Sequence, residues 1–293
     1  MGTRLEVTMK NMVNALEIWE DLSAALYQNL PKLWEPAIDW EQQQVRRQVL
    51  KQGSTDFDIP TGGIEPNEKV AHYIQLYMDM HLQQNRIAFK TYLPKETVCK
   101  AKVLCIDYGC GPMTSGLSLV EHLNDSPRNR YYYGIDISLY MCKYARRINS
   151  KYELFPERNC KICQADNLDI AVLDEAIDNF QPEVIVLCLS YVLANPTFKV
   201  SSDSDRKQKL EQLAKLWCYI TSICSPTYAI YHNPNVNDWH RSWELFSRYV
   251  GAEAQKLSRD CRFEFGKLVE DCAWMQDKRP SKMGCIKGFP RRS

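Results

Sequence analysis

A mostly parallel α/β sheet of seven strands, with helices on both faces and an all-helical segment in front, is predicted by three features of the sequence. Short apolar runs alternate with amphipathic stretches after Pro94, a glycine-rich turn follows the first of those runs, and helical periodicity with little strand-like alternation fills the chain before them. A parallel crossover needs a helix-sized connection, so strands separated by helices imply a parallel sheet covered on both sides.

The front segment comes first. From Met9 to Leu93 the apolar residues recur at helical spacing, and Met12, Leu16, Trp19, Leu22 and Leu26 form one such stripe. Pro31 and Pro36 punctuate it, while Gly53 to Asp56 and Pro60 to Gly63 make a loop that runs up to Pro66. A further helix is predicted over Asn67 to Tyr92, stopped by Pro94. The Trp and Tyr positions on these helices read as core rather than as stacking platforms. The chain accordingly divides into a helical unit over 1–96, read as a lid or recognition element, and a sheet-bearing core over 97–293.

Within the core, strands are predicted at Lys102 to Ile106, Tyr131 to Ile135, Cys160 to Gln164, Val184 to Leu189 and Thr227 to His232. Helices between and after them are predicted at Ser115 to Leu123, Leu139 to Asn149, Ile170 to Asn179, Arg206 to Ile223 and Asp238 to Tyr249. Beyond Gly251, the stretches Arg259 to Leu268 and Met283 to Phe289 supply a closing antiparallel pair, which brings the strand count to seven. The polar run from Ser201 to Asp205 reads as a loop after the fourth strand.

Composition excludes some classes. Lys and Arg number 37 against 36 Asp and Glu, so no net field draws the whole molecule toward nucleic acid or an anionic membrane. The basic run from Lys278 to Arg292 reads as a solvated tail, with contact to a phosphate backbone as the alternative. The longest apolar stretch, Val184 to Leu189 continuing past Ser190 to Ala194, is far short of the roughly 20 residues that cross a bilayer. The twelve cysteines include several in strand-like runs, such as Cys105 and Cys188, so free thiols in a reducing, cytoplasmic setting are expected. Cys160 and Cys163 have the spacing of half a zinc site, but Cys261 and Cys272 do not complete it, and no metal site is expected.

The segment that carries chemistry is Val103-Leu104-Cys105-Ile106-Asp107-Tyr108-Gly109-Cys110-Gly111-Pro112-Met113-Thr114-Ser115-Gly116. An apolar strand ends in a carboxylate and turns through glycines into a helix, which lets backbone amides approach a ligand with no Cβ in the way. The third glycine, Gly116, comes later than the dinucleotide fingerprint requires, which argues against a pyrophosphate cradle. Two more acids follow strands: Asp136 in Gly134-Ile135-Asp136-Ile137-Ser138, and Asp166 in Gln164-Ala165-Asp166-Asn167. On residue chemistry alone, each of these two could instead cap the helix that follows it.

Taken together, Asp107, Gly109, Gly111, Asp136 and Asp166 resemble the motifs of the class I, Rossmann-like S-adenosylmethionine-dependent methyltransferases, over roughly residues 97–250. The resemblance implies S-adenosyl-L-methionine as cofactor. It implies that the turn from Gly109 to Gly111 faces the methionine and ribose, with Asp107 ordering it, directly or through water, toward the methionine amine. Asp136 would accept both ribose hydroxyls, Asp166 or the adjacent Asn167 would meet the adenine amino group, and Ile137 or Leu168 would flank the ring. The end of the fourth strand would meet the methyl and the acceptor, making Ser190, Tyr191 and Asn195 site candidates. If a proton must leave the acceptor, Tyr191, His232 and His240 are the candidate bases; a histidine satisfied within the structure is the alternative for the last two.

The acceptor itself is not legible. The signature that holds a planar exocyclic amine is missing, since Asn195-Pro196 runs on to Thr197-Phe198. In many small-molecule members of the family it resembles, helices before the first strand close over the site, so the resemblance implies, for the long helical front here, an acceptor of small or intermediate size. RNA is the alternative, because Tyr73 to Pro94 and the Ser190 to Leu193 strand end resemble a ribosomal small-subunit methyltransferase-like family, whose cysteine cluster has no counterpart here. A non-catalytic S-adenosylmethionine-binding module on the same fold is the third reading.

Overall fold

Strand β1 (Val103–Tyr108) is buried at every position and lies between two parallel neighbours, β2 (Arg130–Asp136) and β4 (Val184–Ser190). A strand with no exposed face is apolar along most of its length, which is why Val103 to Ile106 reads as one continuous run, with the buried Asp107 as the exception near its carboxyl end. In the computed structural model the described residues are 14–29, 45–53, 55–123, 127–194, 203–223, 226–234, 241–256, 261–265, 269–271 and 281–290.

The helices follow in chain order. Ahead of the sheet lie α1 (Ala15–Asn29), α2 (Pro66–Tyr73), α3 (Asp79–Tyr92) and the single turn α4 (Lys95–Val98). Between strands come α5 (Thr114–Leu123), α6 (Leu139–Tyr152), α7 (Ile170–Phe180), α8 (Asp203–Ile223) and α9 (Arg241–Lys256). The helix predicted over Asn67 to Tyr92 is α2 and α3 joined by a π-helical stretch, Ile74–Met78. One extra residue per turn there rotates the face that α3 presents, and such π segments concentrate at functional sites.

The remaining strands are β3 (Cys160–Gln164), β5 (Thr227–Pro234), β6 (Cys261–Phe265), β7 (Val269–Asp271) and β8 (Ser281–Pro290). Across the sheet they run β3-β2-β1-β4-β5-β8-β6, with β7 also paired to β8. The first five are mutually parallel and β8 is antiparallel to β5. The seven strands expected are thus eight, seven abreast. The reason is the length of β8: β6 covers its Ile286–Pro290 half and β7 covers its Ser281–Met283 half, where a single predicted strand had been expected to pair.

Side chains alternate across the sheet with period two. Val103, Cys105, Tyr132, Val186 and Cys188 pack on one face, together with Leu82, Ala88 and Phe89 of α3 and residues of α1, α5 and α6. Leu104, Ile106, Leu187 and Tyr231 pack on the other, against α7, α8 and α9. The front helices therefore share an apolar layer with the sheet, and α3 is held against the half of it that ends in β4 and β5. Among the described residues no helix is long and apolar enough to cross a membrane.

Candidate functional site

The strand order reverses at the centre of the sheet: the chain leaves β1 toward β2 and β3, then returns to β4 and β5 on the other side. The crevice at the carboxyl ends beside such a reversal is where open α/β sheets bind ligands. Gly109 and Gly111 form the turn there, with φ of 74° and 50°. A Cβ on Gly109 would come within 2.8 Å of Val192 Cγ2, whereas one on Gly111 would meet nothing within 4 Å. Gly109 is thus demanded by packing and by backbone conformation, and Gly111 by conformation beside open space.

Asp136 ties this turn to the next strand. Its Oδ2 accepts from the Gly111 backbone N–H at 2.9 Å and its Oδ1 from that of Ser138 at 2.9 Å. The Gly109 and Cys110 amides also donate to the Ile135 carbonyl, at 2.9 and 2.8 Å. Burial pushes the Asp136 carboxyl up to about 6, against the two backbone hydrogen bonds that lower it. One strand further on, Ala165 N–H donates to the Asp136 carbonyl at 2.9 Å, and the Tyr108 hydroxyl donates to the Asp166 carbonyl at 2.6 Å. Gly111, Asp136 and Asp166 therefore lie along one strand-end ledge, with the Asp166 and Asn167 side chains exposed. Ile137, the residue after Asp136, is 49% exposed, and Ile59 and Ile170 are also largely bare.

Asp107 is placed differently from its partners. It lies 1% exposed beneath the turn, where Tyr132 donates to its Oδ2 at 2.8 Å. Burial pushes it up to about 7, while Tyr132, Ser115 and the Gly116 backbone act to lower it. The carboxyl thus faces the first turn of α5 from below.

The capping alternatives resolve through other residues. Ser138 is itself the N-cap of α6, and its Oγ accepts from Met141 N–H at 3.1 Å. Asp169 caps α7 by accepting from Ala171 N–H at 2.9 Å. The unforeseen contributor is Asp58, which reaches α6 from the front loop. It accepts from Ser138 Oγ at 2.7 Å and from the amides of Leu139 and Tyr140 at 2.9 and 3.2 Å. Lys69, buried on α2, holds that loop by donating to the Asp56 and Ile59 carbonyls and to Thr61 Oγ1. The loop consequently rests on the β2 end, next to Asp136.

At the ends of β4 and β5, helix α3 supplies a second set that sequence reasoning missed: His81, Gln84 and Asn85, all buried. Ser115 Oγ donates to Ser190 Oγ at 3.1 Å, Ser190 Oγ to Asn85 Oδ1 at 3.0 Å, and His232 Nε2 lies 2.8 Å from the same Asn85 oxygen. Tyr191, at φ 60°, donates its hydroxyl to Gln84 Oε1. Its ring stacks on His81 at 3.8 Å and stands edge-on to His232 at 5.0 Å. The Tyr73 hydroxyl lies 3.1 Å from His81 Nδ1, which joins Tyr73 to the Tyr191–His81 stack.

Burial sets the protonation of this group. It pushes the Tyr191 phenol well above its usual range and His81 well below its own, and it takes His232 down to about 3. Ser190, Tyr191 and His232 are therefore brought together as uncharged groups. His240 and Asn195 lie outside the described residues. Cys160 and Cys163 are half-buried on β3, and the nine cysteines whose side chains are described are free. Among the described residues no group of three potential metal ligands occurs.

No family model and no curated protein matches the chain. Among solved structures 278 chains match, and those the chain is similar to include S-adenosylmethionine-dependent methyltransferases at low identity. A precorrin-6y C5,15-methyltransferase from Geobacter metallireducens is 11% identical, with 72% of this chain and 88% of that one covered and a TM-score of 0.37. A S-adenosylmethionine-dependent methyltransferase from Aquifex aeolicus is 13% identical, with 72% and 97% covered and a TM-score of 0.37. A cyclopropane-fatty-acyl-phospholipid synthase-like protein from Lactobacillus casei is 12% identical, with 83% and 99% covered and a TM-score of 0.44. At these identities and scores the likeness assigns neither a substrate nor a site residue.

Proposed function

We propose that the chain binds S-adenosyl-L-methionine on the ledge formed by Gly109, Gly111, Asp136 and Asp166, and transfers its methyl group to an acceptor held at the ends of β4 and β5. The observation that carries this reading is the hydrogen bond from Gly111 N–H to Asp136, at the point where the strand order reverses. The residues fit an adenosine. Each Asp136 oxygen has one protein donor and keeps a second lone pair for a ribose hydroxyl. Gly111 opens onto free space, and bare Ile137 offers an apolar surface to the adenine ring. Asp166 or Asn167, exposed at the next strand end, would take the adenine amine.

The cofactor supplies both the methyl group and an excellent leaving group. What remains for the protein is alignment and exclusion of water. The loop pinned by Asp58 and Lys69, and helix α3 above Ser190 and Tyr191, serve both ends, and this cover favours an acceptor of small or intermediate size. Tyr191 and His232 are poor bases in this environment, so they position the acceptor rather than deprotonate it.

Calorimetry with S-adenosylhomocysteine tests the cofactor site: the wild type should bind, and Asp136→Ala should not. Wild type that fails to bind, or a variant of unchanged affinity, would overturn the assignment. A labelled-methyl assay in cell extract, with and without nuclease, tests the rest. Product that survives nuclease supports a small-molecule or protein acceptor, product lost to nuclease points to RNA, and binding without turnover points to a non-catalytic module.

A further inference from the structure

Asn85 and His232 are completely buried side by side, and each keeps one polar atom with no hydrogen-bond partner: Asn85 Nδ2 and His232 Nδ1. The Asn85 oxygen already takes Ser190 Oγ and His232 Nε2. With the imidazole proton on Nε2, the unpaired atoms are a donor on Asn85 and a lone pair on His232. If the amide is turned over, its nitrogen donates to Ser190 and to His232 Nε2. The unpaired atoms are then the Asn85 oxygen and a His232 Nδ1–H. Either arrangement leaves one donor and one acceptor, and neither carries a charge.

We propose that Asn85 and His232 are the acceptor-recognising pair, and that they take an uncharged planar group offering one donor and one acceptor, of the carboxamide or lactam kind, while rejecting ammonium and carboxylate groups. The proposal rests on the reading that the ends of β4 and β5 face the acceptor. Buried polar atoms are kept unpaired in a native structure at a free-energy cost, and a ligand that completes both removes that cost. Among the described residues, the side chains hydrogen-bonded directly within this pair and to it through Ser190 carry no charge that would balance a charged ligand. Ser115, Ser190, Asn85 and His232 are linked by hydrogen bonds and are uncharged, and His232 is held neutral by its burial. Asp107, the acid beyond Ser115, is pushed up to about 7 and is engaged by Tyr132. The rings of Tyr191 and His81 stand beside the pair and suit a flat group better than a tetrahedral one.

The test uses the full chain saturated with S-adenosylhomocysteine and three probes of similar size: 2-pyridone, benzylamine and benzoate. Binding is followed by the ring-nitrogen resonances of labelled histidine, with His232 assigned from the spectrum of His232→Phe. Saturable movement of the His232 signal by 2-pyridone alone is expected, as is affinity at least about tenfold weaker in Asn85→Leu. Retained S-adenosylhomocysteine binding serves as the folding check on that variant. The proposal is overturned if either charged probe binds as tightly as 2-pyridone, if His232 does not respond, or if Asn85→Leu binds 2-pyridone like wild type. Should the variants not fold, the ranking of the three probes on wild type decides. Loss of S-adenosylhomocysteine binding with the 2-pyridone response intact would remove the cofactor reading and leave the pair standing.

Discussion

The carboxylate of Asp58 accepts a hydrogen bond at 2.9 Å from the backbone amide of Leu139, so the loop before α2 closes the exposed N-terminus of α6. A negative charge at a helix N-terminus satisfies orphan amides and opposes the helix dipole. Asp58→Ala should lower stability by about 1–2 kcal/mol in urea unfolding, and Asp58→Asn by less. Since the same loop lies beside Asp136, both variants should also weaken S-adenosylhomocysteine in calorimetry. Unchanged affinity with lowered stability would reduce the loop to a structural cap.

Lys69 holds the other end of that loop. Its ammonium is buried on α2 and donates to two loop carbonyls and a threonine hydroxyl, so Lys69→Met leaves those acceptors without a donor of equal strength. A loss of about 1–3 kcal/mol is expected. Hydrogen exchange should rise over residues 56–64 before it rises in β1. Equal protection of the loop in both proteins would refute the clamp.

Gly109 and Gly111 both have positive φ, but only Gly109 faces a wall. Gly109→Ala therefore combines backbone strain with a clash against Val192 and should cost about 2–4 kcal/mol of stability. Gly111→Ala should cost only about 1 kcal/mol. Its methyl nevertheless projects into the space proposed for the cofactor, so S-adenosylhomocysteine binding should fall sharply. Thermal unfolding and calorimetry on the two variants separate these effects. A Gly111→Ala protein that binds normally would place the cofactor elsewhere.

Much of this arrangement was legible from residues alone. The five parallel strands and their helices follow from period and run length, and the Gly109, Asp136 and Asp166 positions follow from counting to strand ends. What escaped was anything depending on how the front segment folds back. Asp58 sits in a polar loop whose partner amides lie some eighty residues on, and no local pattern announces that contact. Asn85 did leave a trace: it falls on the stripe with Met78, Leu82 and Phe89, where a polar residue among buried neighbours asks for a partner. The splitting of the last sheet edge into β6 and β7 depends on the length of β8, which the apolar run from Met283 to Phe289 understates because Ser281 and Lys282 also pair.

Asp107 makes stability depend on pH in a direction opposite to that of a paired surface carboxylate. Burial raises its folded-state value to about 7, against an ordinary 3.8, so between those limits the folded protein holds a proton that the unfolded chain has released. Below pH 3.8 both states are protonated and the stabilising contribution is complete; it is lost as pH rises through about 7. The full difference corresponds to about 4 kcal/mol, an order-of-magnitude figure for a group so enclosed. Asp107→Asn imitates the protonated carboxyl and can still accept from Tyr132. It should match wild type near pH 4 and become progressively more stable than wild type toward pH 8. Urea unfolding of both proteins across that range measures the gap. A gap that stays constant, or that closes with rising pH, would mean that Asp107 is ionised at no cost in the folded protein, and so that its surroundings are far more polar than the packing around Tyr132 and α5 implies.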